Sequence, residues 1–201
     1  MENETFSAGQ IRFLDSVLVL EKSAKARRSY VIASPLNLLG ELFTTNGSGT
    51  LIRRGIDFQK GRAFKDFETS KLTHALESAF DKRLKPSFYK TPLYAGFIES
   101  EYRGGALFKE QAGIPYLSKF FVTREARGDG IAKDIWNTAC ADVPAFVWRS
   151  RMGNPFNAWY MRKCDGMQRT GYWRIFWIGL DAGKIGDVIS AAATAPDDFE
   201  S

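Results

Sequence analysis

Residues 116–123 read Tyr-Leu-Ser-Lys-Phe-Phe-Val-Thr, an apolar-rich strand, and Arg127-Gly-Asp-Gly-Ile-Ala follows shortly after it at the mouth of a helix. No other stretch limits the fold as much. The strand must be buried on at least one face, it turns through glycines, and it enters a helix over 130–141 whose Ile131, Ile135, Trp136 and Ala139 recur at helical spacing. Glycines let successive backbone amides converge on an anion without a clashing side chain, and the helix N-terminus adds its dipole. On the glycines alone, a tight strand-to-helix turn that binds nothing is an equal alternative.

The flanking pattern alternates strand and helix. After Pro92 the apolar period drops to two, with Leu93, Ala95 and Phe97 in one strand and Gly105 to Phe108 in the next, joined as a hairpin by the polar Glu99 to Arg103. Ala145 to Arg151 forms a further strand, and Asn154-Pro155 opens a helix to about Lys163, with Asn154 as its N-cap. Tyr172 to Leu180 is a strongly apolar strand, followed by a short helix around 186–193 and a polar tail. This order predicts an α/β fold with a mixed central sheet and helices on both faces.

Upstream, Phe67, Leu72, Leu76 and Phe80 place a helix over 66–84, stopped by Pro86. Gly49 to Ile56 reads as a short strand. Ser34-Pro35 starts a helix that Asn46-Gly47 ends, and Leu14 with Val17 to Leu20 fits a strand or a helix edge. The polar stretch 57–61 puts a boundary near Gln59, dividing the chain into 1–59 and 60–201.

At 44% hydrophobic over 201 residues the chain can bury a core and is not disordered by composition. A formal charge of +5 without a Lys/Arg run gives little reason to expect a nucleic-acid partner and suits an acidic ligand equally well. Cys140, Cys164 and His74 match neither a zinc-ligand spacing nor a disulfide framework, so no metal is expected and a reducing compartment is. The first residues lack a signal-peptide core, and no apolar run approaches a membrane span, so the expectation is a cytoplasmic protein without a membrane partner.

Arg127-x-x-Gly130-x-Ala132 after a strand resembles motif A of the Gcn5-related N-acetyltransferases. The resemblance implies that the amides from Arg127 through Gly128, Asp129, Gly130 and Ile131 to Ala132 hold the pyrophosphate of acetyl-CoA. It also implies a mostly antiparallel sheet in which the strand ending at Phe121-Val122 splays from the strand containing Val147, leaving room for the pantetheine arm. A closer resemblance combines Tyr116-Leu-Ser-Lys-Phe, Trp148-Arg-Ser-Arg-x-x-Asn-Pro, Trp159-Tyr160, Asp165-Gly166 and Trp173 to Trp177. Together these resemble the acetyltransferase domain of the vertebrate-like N-acetylglutamate synthases, including the bifunctional synthase/kinases. The activity implied is transfer of acetyl from acetyl-CoA to the α-amino group of L-glutamate, the entry step of arginine biosynthesis.

Arg149 and Arg151 stand two apart on a strand, so both guanidinium groups project from one face. By pattern alone that is an ordinary solvated face. The resemblance makes them the grip on the acceptor's carboxylates, with Lys119 a further charge on the same ligand. Lys82 fits a solvated helix-end charge or a substrate contact equally. Tyr160 fits a core residue, and the resemblance places it with Asn154 beside the reacting acetyl group, Tyr160 as general acid for the departing thiolate. No side chain stands out as the base. Trp136, Trp148, Trp173 and Trp177 read as core, and the two cysteines as small apolar fillers.

Glu41-Leu-Phe-Thr with Gly47-Ser-Gly-Thr-Leu-Ile-Arg-Arg-Gly resembles the C-terminal end of the amino-acid kinase domain of acetylglutamate kinases. A remnant of this length lacks the phosphate loop and full sheet of a kinase, so no kinase activity is expected, and the chain reads as a fragment or shortened form of a bifunctional enzyme. The resemblance admits a homo-oligomer or, in a longer relative, a kinase domain as partner. The alternative function is a non-catalytic module that regulates or stabilises an acetylglutamate kinase.

Overall fold

A computed structural model describes residues 8–23, 29–32, 36, 50–53, 56–127 and 130–200. It divides into two units, 1–55 and 56–201. In the first, helix α1 spans Ala8–Ser23, and strands β1 (Ser29–Ile32) and β2 (Thr50–Arg53) pair antiparallel. The apolar run from Leu14 to Leu20 is therefore helical, with Val17 buried. The helix expected from Ser34-Pro35 to Asn46 lies outside the described residues, apart from Leu36.

In the second unit, strands β3 (Phe58–Gly61), β4 (Ala95–Glu99), β5 (Gly104–Gln111), β6 (Ile114–Val122), β7 (Phe146–Arg151), β8 (Gly166–Thr170) and β9 (Trp173–Ile178) form one sheet in the order β3-β4-β5-β6-β7-β9-β8. All neighbours pair antiparallel except β6 and β7, which are parallel. The sheet is thus mixed and mostly antiparallel, as expected. The boundary differs: the division falls between Gly55 and Ile56, and Gln59 lies inside β3, paired with Ile98.

Helices cover both faces. Helix α3 (Ile131–Asp142) buries Ile131, Ile135, Trp136 and Ala139 against Phe97, Phe108, Phe146 and Trp148. On the opposite face, α2 (Thr69–Phe80) packs Leu72 and Leu76 on Ile98 and Leu107, and α5 (Ile185–Thr194) packs Val188 and Ile189 on Val147 and Ile175. All five residues of β4 are buried, because both its faces are covered. Truncating Leu72 or Leu76, each 0% exposed, to Ala would cost about 2–5 kcal/mol.

Three expected elements change. The helix placed over 66–84 stops at Phe80, because Asp81 takes the left-handed conformation (φ 57°), which a short polar side chain tolerates. The helix after Asn154 is only Asn157–Met161 (α4), so Asn154 caps the turn ahead of it by accepting from the Phe156 amide at 2.9 Å. The apolar strand over 172–180 is β9 alone, and β8 beside it was not anticipated: Gly166–Thr170 is short and largely polar, paired to β9 on one side only.

The polar tail is the largest correction. The amide of Lys85 donates to Asp198 O (2.8 Å), the amide of Glu200 donates to Arg83 O (2.9 Å), and Leu84 bridges Phe199 antiparallel. Phe199 is buried in the cluster of α2, its ring 4.9 Å from that of Phe80. The last residues are thus stitched into the domain by main-chain hydrogen bonds and an aromatic anchor.

Candidate active site

Strands β6 and β7 meet at Tyr116 and Val147, then run on to Val122 and Arg151 without another paired position. They splay, and two cavities open at the gap. One, of about 630 Å³, is bounded by Phe120, Phe121, Val122, Arg127, Gly130, Ile131 and Ala132 on one side and Pro155 and Phe156 on the other. The second, of about 530 Å³, holds Lys82, Lys119, Arg149 and Arg151 with Trp148, Trp173, Asp197 and Asp198. Phe80, Phe120, Asn154 and Tyr160 line both, so the cavities adjoin at those four side chains.

The first cavity ends at the N-terminus of α3. Gly130 occupies the left-handed region there (φ 73°), which glycine adopts without strain, and as the N-cap it offers no side chain to the helix amides. The leading amides of a helix lack intrahelical acceptors and carry the positive end of its dipole. Arg127 is exposed beside them and donates to Ala79 O at 3.3 Å. Gly128 and Asp129 lie outside the described residues. The structure thus brings Phe121, Val122, Arg127, Gly130, Ile131 and Ala132 to one wall, with an open helix end suited to an anion.

The second cavity is ordered by charge. The ring of Trp173 carries Arg149 at 4.1 Å and Arg151 at 5.4 Å, so both arginines do project from one face of β7. Trp173 is half-buried: like Trp177 it packs against the cluster of Val147 and Ile175, and its ring also supports these cations, whereas Trp136 and Trp148 are fully core. Arg149 donates to the carbonyls of Ala192 (3.2 Å), Ala193 (3.0 Å) and Pro196 (3.2 Å). Arg151 lies more in solvent, 3.5 Å from Asp197. Lys82 is exposed at the rim.

Lys119 and Lys109 are both buried, and both bond the Asp198 carboxylate, Lys109 at 3.2 Å. Ser118 Oγ donates to the same carboxylate at 3.1 Å. Burial pushes each lysine below its ordinary pKa, and Asp198 opposes that shift. Burial pushes Asp198 up, but the charges and hydrogen bonds of Lys119 and Lys109 outweigh it and hold the carboxyl below its usual range. Breaking such a buried pair by removing one partner typically costs about 3–5 kcal/mol. Lys109, Asp197 and Asp198 went unnoticed in the sequence, where a polar tail and an alternating strand lysine carry no signal of burial.

Asn154 Nδ2 donates to Ser150 Oγ (2.8 Å) while its Oδ1 holds the Phe156 amide, so its amide is fixed between β7 and α4. Tyr160 is buried against Phe120, Trp136, Trp148 and Phe176, and burial raises its phenol. It is core by packing, and it also lines both cavities. Tyr116, pushed up to about 12 by burial, also borders the charged cavity. Cys140 is half-buried and raised to about 11 by burial, consistent with a filler. Among the described residues no His/Cys/Asp/Glu group could hold a metal, and no helix is long and apolar enough to cross a membrane.

The family described as NAT, N-acetyltransferase, of N-acetylglutamate synthase matches residues 59–195. Acetylglutamate kinase of Xylella fastidiosa is 37% identical over 85% of this chain and 39% of its own length. Mitochondrial N-acetylglutamate synthase of Danio rerio is 31% identical over 98% of this chain and 38% of its own length. The chain thus spans about two fifths of the length of these relatives. A crystal structure of N-acetylglutamate synthase from Neisseria gonorrhoeae, complexed with coenzyme A and L-arginine, aligns with 88% of this chain and 46% of its own at 14% identity and TM-score 0.44.

Proposed function

From the premise that the chain belongs to the N-acetyltransferase family of N-acetylglutamate synthase, we propose that it transfers the acetyl group of acetyl-CoA to the α-amino group of L-glutamate. The observation that supports this most is the meeting of two chemically different cavities at Tyr160 and Asn154. One is apolar and ends in a helix N-terminus, a shape for a pantetheine arm and its pyrophosphate. The other offers Lys82, Lys119, Arg149 and Arg151 against Asp197 and Asp198, a cationic excess that suits two carboxylates.

In this reading the pyrophosphate rests on the amides from Gly130 to Ala132, with Arg127 beside it. The arm runs along the free edge of β6 past Val122 and Phe121, where a backbone N–H polarises the thioester carbonyl and stabilises the tetrahedral oxyanion. Glutamate enters from the other side, its carboxylates drawn by Arg151, Lys82, Arg149 and Lys119, and its amine reaches the thioester beside Asn154. Among the described residues no histidine or glutamate lines either cavity, and the ammonium passes its proton to water, which a backbone carbonyl can orient. As the C–N bond forms and the C–S bond breaks, nitrogen releases the second proton that sulfur gains. Burial raises the Tyr160 phenol, so it stands protonated beside the departing sulfur. Tyr160 acts as the general acid: its phenol hydrogen-bonds the departing sulfur and passes it a proton, which the second proton released by nitrogen replaces.

Residues 1–59 are read as the C-terminal end of an amino-acid kinase domain. The test is a thiol-release assay with acetyl-CoA across a panel of amino acids. Release with L-glutamate, well above release with glutamine, aspartate or arginine, is the expected result. No release with any acceptor, despite binding of acetyl-CoA, would move the chain to the non-catalytic module instead.

A further inference from the structure

The tail residue Asp198 has no part in the reaction as described, yet it sits in the charged cavity and organises it. Lys119 and Lys109 come from neighbouring strands, both buried, and their ammonium groups converge on the two oxygens of this carboxylate. Their surroundings are otherwise apolar: Lys109 Nζ lies 4.1 Å from the centre of the Phe88 ring, and Lys119 Nζ lies 5.3 Å from Phe88 and 5.2 Å from Phe199. The remaining contacts of Lys119 are Ser118 O (3.1 Å) and Ser118 Oγ (3.3 Å), which orient it but carry no charge. Two like charges buried so close together repel and are each penalised by desolvation unless an anion stands between them.

The backbone holds that anion in position. Residue 198 is pinned by the Lys85 amide, and its neighbour Phe199 by the bridge to Leu84 and the contact with Phe80. A carboxylate so anchored is unlike a loose plug that an acceptor displaces. The groups that surround it are Lys119 and Ser118 from β6, Lys109 from β5, Asp197 beside it, and Arg149 and Tyr116, whose fields overlap with those of Asp197 and Asp198.

We propose that Asp198 is the built-in counter-ion of the acceptor pocket, a positioning residue that keeps Lys119 and Lys109 in place as ammonium groups so that the pocket meets the acceptor's carboxylate fully charged. The proposal rests on the glutamate reading for its kinetic consequence, though not for the ionic arrangement itself. Without the tail carboxylate, one of the two buried lysines sheds its proton in the free protein, and the acceptor must bring that proton back when it binds.

Asp198→Asn in the full chain tests this. The KM for glutamate is expected to rise about tenfold or more at pH 8–9 and to recover toward the parent value near pH 6, a tenfold change matching about 1.4 kcal/mol. The KM for acetyl-CoA should stay within about twofold. Asp198→Glu should restore most of the loss. Lys109→Met added to Asp198→Asn removes the like-charge neighbour and should recover part of the glutamate KM, whereas damage to folding alone would add up. A glutamate KM that is unchanged or lower in Asp198→Asn, or an equal loss for both substrates, overturns the proposal; a lower one would mean that the tail competes with the acceptor. NMR of 13Cε-labelled lysines provides a readout independent of turnover: Asp198→Asn should shift the Lys119 titration to lower pH. If the parent chain releases no thiol with glutamate, the functional reading fails while this titration still decides the counter-ion, and an unshifted Lys119 would refute it.

Discussion

The cavity beside Ile131 draws most of its wall from the segment between Phe120 and Ala132, and Ala79, Phe80, Asn154 to Phe156 and Tyr160 complete it. The cavity beside Arg149 collects side chains from Lys82, Lys119, the β7 arginines, Trp173 and the tail. In the proposed reading the first works through backbone, since a helix N-terminus presents amides whatever the side chains nearby. The second works through a balance of charges drawn from distant parts of the chain. On that reading, a site for a phosphate group can rest largely on one segment, while a site for an amino acid depends on charges from many elements.

Four substitutions sharpen or break that division. Tyr160→Phe removes the group common to both cavities, so kcat should fall about a hundredfold, the lower end of what proton donation contributes. Both KM values should hold and the melting temperature should barely move; unchanged turnover would remove the tyrosine from the chemistry. Gly130→Val forces a branched side chain into the left-handed region at a cost of about 1–2 kcal/mol. The KM for acetyl-CoA should rise about tenfold, with that for glutamate unaffected, and a parallel rise in both would mean the cavities do not work separately.

Arg151→Ala is the mirror experiment. It removes the more exposed of the paired guanidinium groups, and the glutamate KM should increase about fivefold to tenfold in steady-state assays while that for acetyl-CoA holds. An equal effect on both substrates would contradict its place in the charged cavity. Trp173→Leu should be the mildest, since a ring over which a cation rests contributes about 0.5–1 kcal/mol at a partly exposed site. A glutamate KM raised a few-fold, with the protein's melting curve intact, is the expected outcome; no change would make the ring mere packing.

Much of this was legible from spacing. The helix over 131–142 follows from Ile131, Ile135, Trp136 and Ala139 recurring on one face, and the hairpin of β4 and β5 from period-two apolar residues around a polar turn. Other features were not. Asp81 ended α2 early because a single left-handed residue leaves no trace in hydrophobic periodicity. Strand β8 was missed because Gly166–Thr170 has too little apolar content to register. Trp173 packs against the core as its apolar neighbours imply, but the two guanidinium groups on its ring leave no trace in spacing.

What the sequence determined by itself is the local chemistry: a buried strand, a glycine turn, an uncapped helix start, and two arginines on one face of the strand that follows. These depend on backbone geometry and on residues close together in the chain, so pattern alone suffices. Only the tertiary structure decided that the tail is part of the domain, that Lys109 and Lys119 share Asp198, and that both cavities converge on Tyr160. A buried ion pair has no periodicity. Its partners are brought together by the packing of the whole domain, and burial then makes each depend on the other.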